Sequence, residues 1–145
     1  MNKISNACIA FVLCGFMIVA SAQETKVYKE GYVTSVTFVR TKPGKFDDYM
    51  KFLDTAYKAN MEAQKKAGLI VGYNVYNATP RSPHDPDLIL TVTFPNMAAL
   101  DKTDEFEAVM AKVVGPASVQ NKGAVDRESI REILGSELDR ELILK

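Results

Sequence analysis

Any imidazole chemistry in this chain rests on His84, its only histidine. It stands in Thr79-Pro80-Arg81-Ser82-Pro83-His84-Asp85-Pro86, a polar stretch with three prolines, with Asp85 and Asp87 beside it. There it can close over a pocket or make a weak metal contact with the two carboxylates; the plainer use of such a histidine is as an exposed loop residue. A second group is built of phenols and amides: Tyr49, Tyr57, Tyr73 and Tyr76 with Asn60, Asn74 and Gln64. Lining a cavity between a helix and a sheet, these side chains would orient a ligand by hydrogen bonds. Their competing use is packing in a core or a dimer contact, with the hydroxyls reaching water. Tyr57, Asn60, Tyr73, Tyr76 and His84 are the ligand-pocket candidates. No catalytic motif stands out, so no catalytic residue is assigned. Arg40, Arg131 and Arg140 with Glu132, Glu137 and Glu141 can form buried pairs or an anion site, although alternating charge in a terminal segment usually marks a solvated face.

Composition narrows the partners. Lys3 followed by an uncharged apolar stretch from Ala7 to Ala20 and by Ala20-Ser21-Ala22 has the form of an export signal, with cleavage expected after Ala22. An uncleaved membrane anchor is the competing reading, but the strongly apolar centre is shorter than the roughly 20 residues a spanning helix needs. Neither Cys8 nor Cys14 has the upstream residues of a lipoprotein site. The expectation is a periplasmic or secreted protein, with 1–22 a signal peptide, 23–30 a lead-in and 31–145 one domain. The cleaved chain would carry 17 basic and 18 acidic side chains, because Lys3 is the only charge lost. Such a balance offers no field for a nucleic-acid backbone or a membrane surface. Both cysteines would leave with the signal, and one histidine without thiols cannot build a usual zinc or haem site. No metal and no cofactor is expected.

The candidates need elements to hold them. Tyr32 to Val39 is rich in β-branched and aromatic residues and predicts a strand, ended by Pro43-Gly44. Phe46, Met50, Leu53, Tyr57 and Met61 recur at three- and four-residue steps and predict a helix from about Lys45 to Ala67. Asp47 and Asp48 begin it, Lys65 and Lys66 end it, and Gly68 stops it. Leu69 to Ala78 and Asp87 to Phe94 predict two strands paired across the proline-rich loop. Asn96 is an N-cap for a second helix that runs to Gly115-Pro116, with a restart at Thr103-Asp104. The tail fits either a helix or a strand; a helical turn near Arg127 to Ile133 and a closing strand from about Ser136 to Ile143 are expected.

Strand, helix, strand, strand, helix, strand is the ferredoxin-like order, an α+β fold with an antiparallel four-stranded sheet. The run Val39-Arg40-Thr41-Lys42-Pro43-Gly44-Lys45-Phe46, the helix end Lys66-Ala67-Gly68-Leu69 and Phe94-Pro95-Asn96-Met97-Ala98-Ala99-Leu100 resemble the dimeric α/β barrel superfamily. These motifs describe scaffold, not chemistry. The resemblance implies a homodimer, and there is a physical reason for one: strands apolar on both faces leave a sheet face to bury against a second copy. It implies several activities. Haem-degrading members need an axial histidine from a helix, which the first helix here lacks. In antibiotic-biosynthesis monooxygenases, polar cavity groups orient an aromatic substrate without a cofactor. The expected function is an exported homodimer that binds a small apolar or aromatic ligand. The alternative is a cofactor-independent monooxygenase or isomerase acting on a small aromatic or quinone-like compound.

Overall fold

The β-branched run that opens the fold makes a longer strand than its composition suggests. In the computed structural model, which describes residues 26–145, β1 spans Tyr28–Thr41. The expected signal peptide, 1–22, lies outside the described residues. The strand begins within the expected lead-in because Tyr28, Lys29 and Glu30 pair with Leu144, Ile143 and Leu142 at the far end of the chain. The remaining elements are α1 (Phe46–Phe52), a π-helical segment (Leu53–Tyr57), α2 (Lys58–Lys66), β2 (Gly72–Asn77), β3 (Leu88–Phe94), a 3₁₀ turn (Met97–Asp101), α3 (Thr103–Val113), α4 (Ala117–Glu128) and β4 (Arg131–Leu144). The strands form one antiparallel sheet in the order β2-β3-β1-β4. This is the ferredoxin-like α+β arrangement expected from the sequence.

Register decides which side chains meet the helices. Val33, Ser35, Thr37 and Val39 of β1 stand opposite Phe94, Val92, Leu90 and Leu88 of β3. Val39, Leu88 and Leu90 join Tyr49 and Leu53 of the first helix in the core, with Val75 and Ile130 packed against it. Val33 and Val39 are wholly buried. The other sheet side presents Thr34, Val36, Phe38, Thr91 and Ile89, with Tyr76 half exposed at its margin; no helix among the described residues covers it.

The first helix carries an irregularity at its centre. The Thr55 hydroxyl donates to the Lys51 carbonyl at 2.7 Å, giving that carbonyl a side-chain partner where the ladder widens to five-residue steps. Gly44 and Gly68, both at φ +72°, bracket the helix in the left-handed region that other residues enter only with strain. Asn96 caps the next segment, accepting from the Ala99 amide at 3.1 Å, and α3 restarts at Thr103.

The tail departs from expectation. Residues 117–128 form a helix, and no helical turn spans Arg127 to Ile133: α4 ends at Glu128 and β4 begins at Arg131. A β-bulge explains the early start. Phe38 pairs with Gly135 and Val39 with Ile133, so Leu134 is an extra residue that inverts the alternation midway. A second bulge sets Gly31 and Tyr32 against Glu141, whose carboxylate accepts from the Tyr32 amide at 3.3 Å.

Candidate functional site

Where the π-helical segment passes into α2, the first helix, α3 and α4 leave a cavity of about 230 Å³ among them. Phe52, Ala56, Tyr57, Asn60 and Met61 supply one wall. Met110 and Val114 close the side toward α3, and Val119, Gln120, Gly123 and Arg127 close the side toward α4. The lining is mostly apolar. Its polar members are few and specific, the composition that small-molecule sites share.

Two of them lack partners. The Tyr57 hydroxyl and the Asn60 carboxamide oxygen are both enclosed, and neither makes a hydrogen bond. Asn60 is 9% exposed. Leaving such a group enclosed and unpaired costs roughly 1–3 kcal/mol. Burial pushes the Tyr57 hydroxyl up to about 12, and the neighbouring Tyr49 and Tyr73 rings add to the shift. It therefore keeps its proton at any ordinary pH and can donate. Gln120, by contrast, is satisfied by the Gly115 carbonyl at 2.8 Å.

Arg127 gives the cavity its charge. Its guanidinium lies 4.6 Å from the Phe52 ring centroid, stacked on the same wall. Gly123, one helical turn earlier, leaves it room, since a Cβ there would come within 3.2 Å of Arg127 Nη1. Burial, then the nearby Arg131, hold the Arg127 pKa below its ordinary value.

The structure divides the sequence-derived candidates. Tyr57 and Asn60 share the helical cavity. Tyr73 meets Tyr57 edge-on and shares with it a second hollow of about 170 Å³ toward β2, with Met50, Leu53 and Val75. Its hydroxyl donates to Glu62 at 2.7 Å, and that bond raises its pKa. Tyr76 is exposed on the sheet side away from the helices, and His84 is exposed in the loop before β3; neither lines these cavities. Of the wider group, Tyr49 is core, Asn74 is exposed, and Gln64 is buried beside a third hollow with Ser35 and Phe94. The expected helix–sheet cavity is thus replaced, for Asn60, by one between helices. Arg127, Val119 and Gly123, which also line it, are not among the sequence candidates. Their steps of four along one helix face were the available signal.

Among the described residues, no cluster of three or more metal-ligating side chains forms and no helix is long and apolar enough to cross a membrane. Of the terminal charges, Arg40 pairs with Glu132 at 2.7 Å and Arg140 with Glu30. Both pairs are exposed enough to count for little in stability.

Sheet order and helical layer together define a ferredoxin-like fold. Solved structures agree. The chain is similar to HapK from Hahella chejuensis (13% identity, 75% of this chain and 91% of that one, TM-score 0.50). It is similar to a protein from Shewanella oneidensis (15% identity, 80% and 98%, TM-score 0.50). A dimeric ferredoxin-like protein from an uncultured marine organism also matches (9% identity, 81% and 90%, TM-score 0.50). At these identities the likeness concerns fold. No protein-family model and no curated protein matches the chain.

Proposed function

We propose that this protein is an exported homodimer that binds a small, flat, largely apolar molecule in the cavity between the first helix, α3 and α4. The observation that carries the reading is that two residues of its lining, Tyr57 and Asn60, each keep a polar atom enclosed and unpartnered, Oη and Oδ1. A ligand bearing a polar group would satisfy both, while Phe52, Met61 and Met110 would pack against its apolar body. The volume suits the purpose: a cavity of roughly 150 Å³ already accommodates benzene, and this one measures about 230 Å³.

Binding is favoured over proton-transfer catalysis by Tyr57 itself. With its pKa pushed up to about 12, the hydroxyl orients a ligand by donation and does not serve as a base. Pairing with a second copy is supported by the uncovered apolar sheet side centred on Val36, Phe38 and Ile89. Export is supported by Lys3, the apolar run to Ala20 and the Ala20-Ser21-Ala22 site.

The test is an NMR screen of single-ring and fused-ring aromatics against labelled protein. Ligands should shift the amides of residues 56–61 and 119–127 together, and Asn60→Leu should weaken them. Shifts confined to the sheet, or unaltered binding in Asn60→Leu, would remove the cavity from the account.

A further inference from the structure

The charge within the helical layer is unbalanced. Arg127 and Arg131 take part in no ion pair among the described residues. Arg131 Nε is enclosed without a hydrogen-bond partner, and its guanidinium stands 6.0 Å from the Tyr49 ring. The two cations are close enough to lower the Arg127 pKa. Neighbouring groups offset them only in part: Asp126 raises the Arg127 pKa somewhat, and Glu128 and Glu132 line a hollow with Arg131 without pairing to it. Asp126, next to Arg127 in sequence, is held by Lys122 at 2.6 Å. Glu132, next to Arg131, is held by Arg40 at 2.7 Å. Tyr49 lies against the pair but is pushed up by its own burial, so it remains a neutral phenol.

Two part-buried guanidiniums without an ion-pair partner are expensive, and a planar anion is the partner their fork fits best. Only Arg127 of the two lines the cavity, and its guanidinium lies over the Phe52 ring there. The geometry points to a negatively charged ligand for this site: a small aromatic carboxylate, its acid group on Arg127 with Arg131 behind it, and its ring among Phe52, Met61 and Met110. This rests on the binding reading above and adds to it the ligand's charge and the residue that selects it. Arg127 is thereby assigned as a specificity-determining residue.

Titration calorimetry of the purified protein with para-hydroxybenzoate and with its neutral isostere para-hydroxybenzamide tests the assignment. The acid should bind at least about tenfold more tightly than the amide, the discrimination a charge-assisted hydrogen bond supplies. Arg127→Met should abolish that preference, while Arg127→Lys should keep part of it. Equal binding of acid and amide by the wild type, or a preference that survives in Arg127→Met, overturns the charge assignment and leaves the cavity reading intact. Failure of both probes to bind overturns the two together.

Discussion

The rings of Tyr57 and Tyr73 meet edge-on, their centroids 5.9 Å apart and their planes at 80°, yet only the Tyr73 hydroxyl has a partner. The pair shows how one helix–strand contact yields two different phenols. Tyr73, at the surface, is tied to Glu62. Tyr57, one layer deeper, keeps its hydroxyl enclosed and unpaired beside Asn60. An arrangement of that kind costs stability, and it makes stability and the proposed binding separable.

Tyr57→Phe should therefore stabilise the unliganded protein by about 1 kcal/mol, because it removes a buried hydroxyl that bonds to nothing. The same change should weaken ligand binding. Urea denaturation and a binding titration on one preparation check both signs. Destabilisation of similar size would mean that the hydroxyl has a structural role.

Alkaline pH should reveal the same group. The folded-state value of about 12 lies above the ordinary 10.0, so folding favours the protonated phenol. Its contribution is fully present below the ordinary tyrosine range and is lost as pH rises from about 10 to about 12. Urea midpoints should fall across that window, and less steeply in Tyr57→Phe. Tyr49, also pushed up by burial, leaves a residual slope. An identical slope in wild type and variant would contradict the burial assigned to Tyr57.

Leu88 is 1% exposed and packs between sheet and helix with Val39 and Leu53. Leu88→Ala should cost about 2–5 kcal/mol with an unchanged dependence on denaturant. A cost below 1 kcal/mol, within the range of surface changes, would mean that the core lies elsewhere.

Phe38→Lys places a charge in the middle of the uncovered sheet side. Sedimentation should show a dimer for the wild type and a monomer for the variant, with helical circular dichroism retained. A wild-type monomer would remove the second copy from the account, while the fold would stand.

Much of this architecture was legible in the chain. Val33 and Val39 announce β1, Pro43-Gly44 and Gly68 bracket the first helix, and Asn96 caps the segment that follows β3. Tyr57 and Asn60 were legible as candidates because a phenol and an amide near an apolar helical stripe must find partners or a ligand. What was not legible depends on tertiary context. In α4, Val119 and Val125 are at least half exposed and Gly123 interrupts the pattern, so no apolar stripe marks the helix that carries Arg127. The beginning of β4 was obscured by the bulge at Leu134, which inverts the alternation used to recognise a strand. Tyr73 and Tyr76 sit three residues apart on a strand, which places them on opposite sheet faces and keeps them from sharing one pocket.

The central claim is that the helical cavity holds a ligand through Tyr57 and Asn60. Native mass spectrometry of the protein isolated from its own host, beside a Tyr57→Phe/Asn60→Leu double variant prepared identically, tests it most directly. The account predicts a dimer carrying a small molecule that the double variant loses. Bare protein in both preparations, or the same added mass in both, would contradict it.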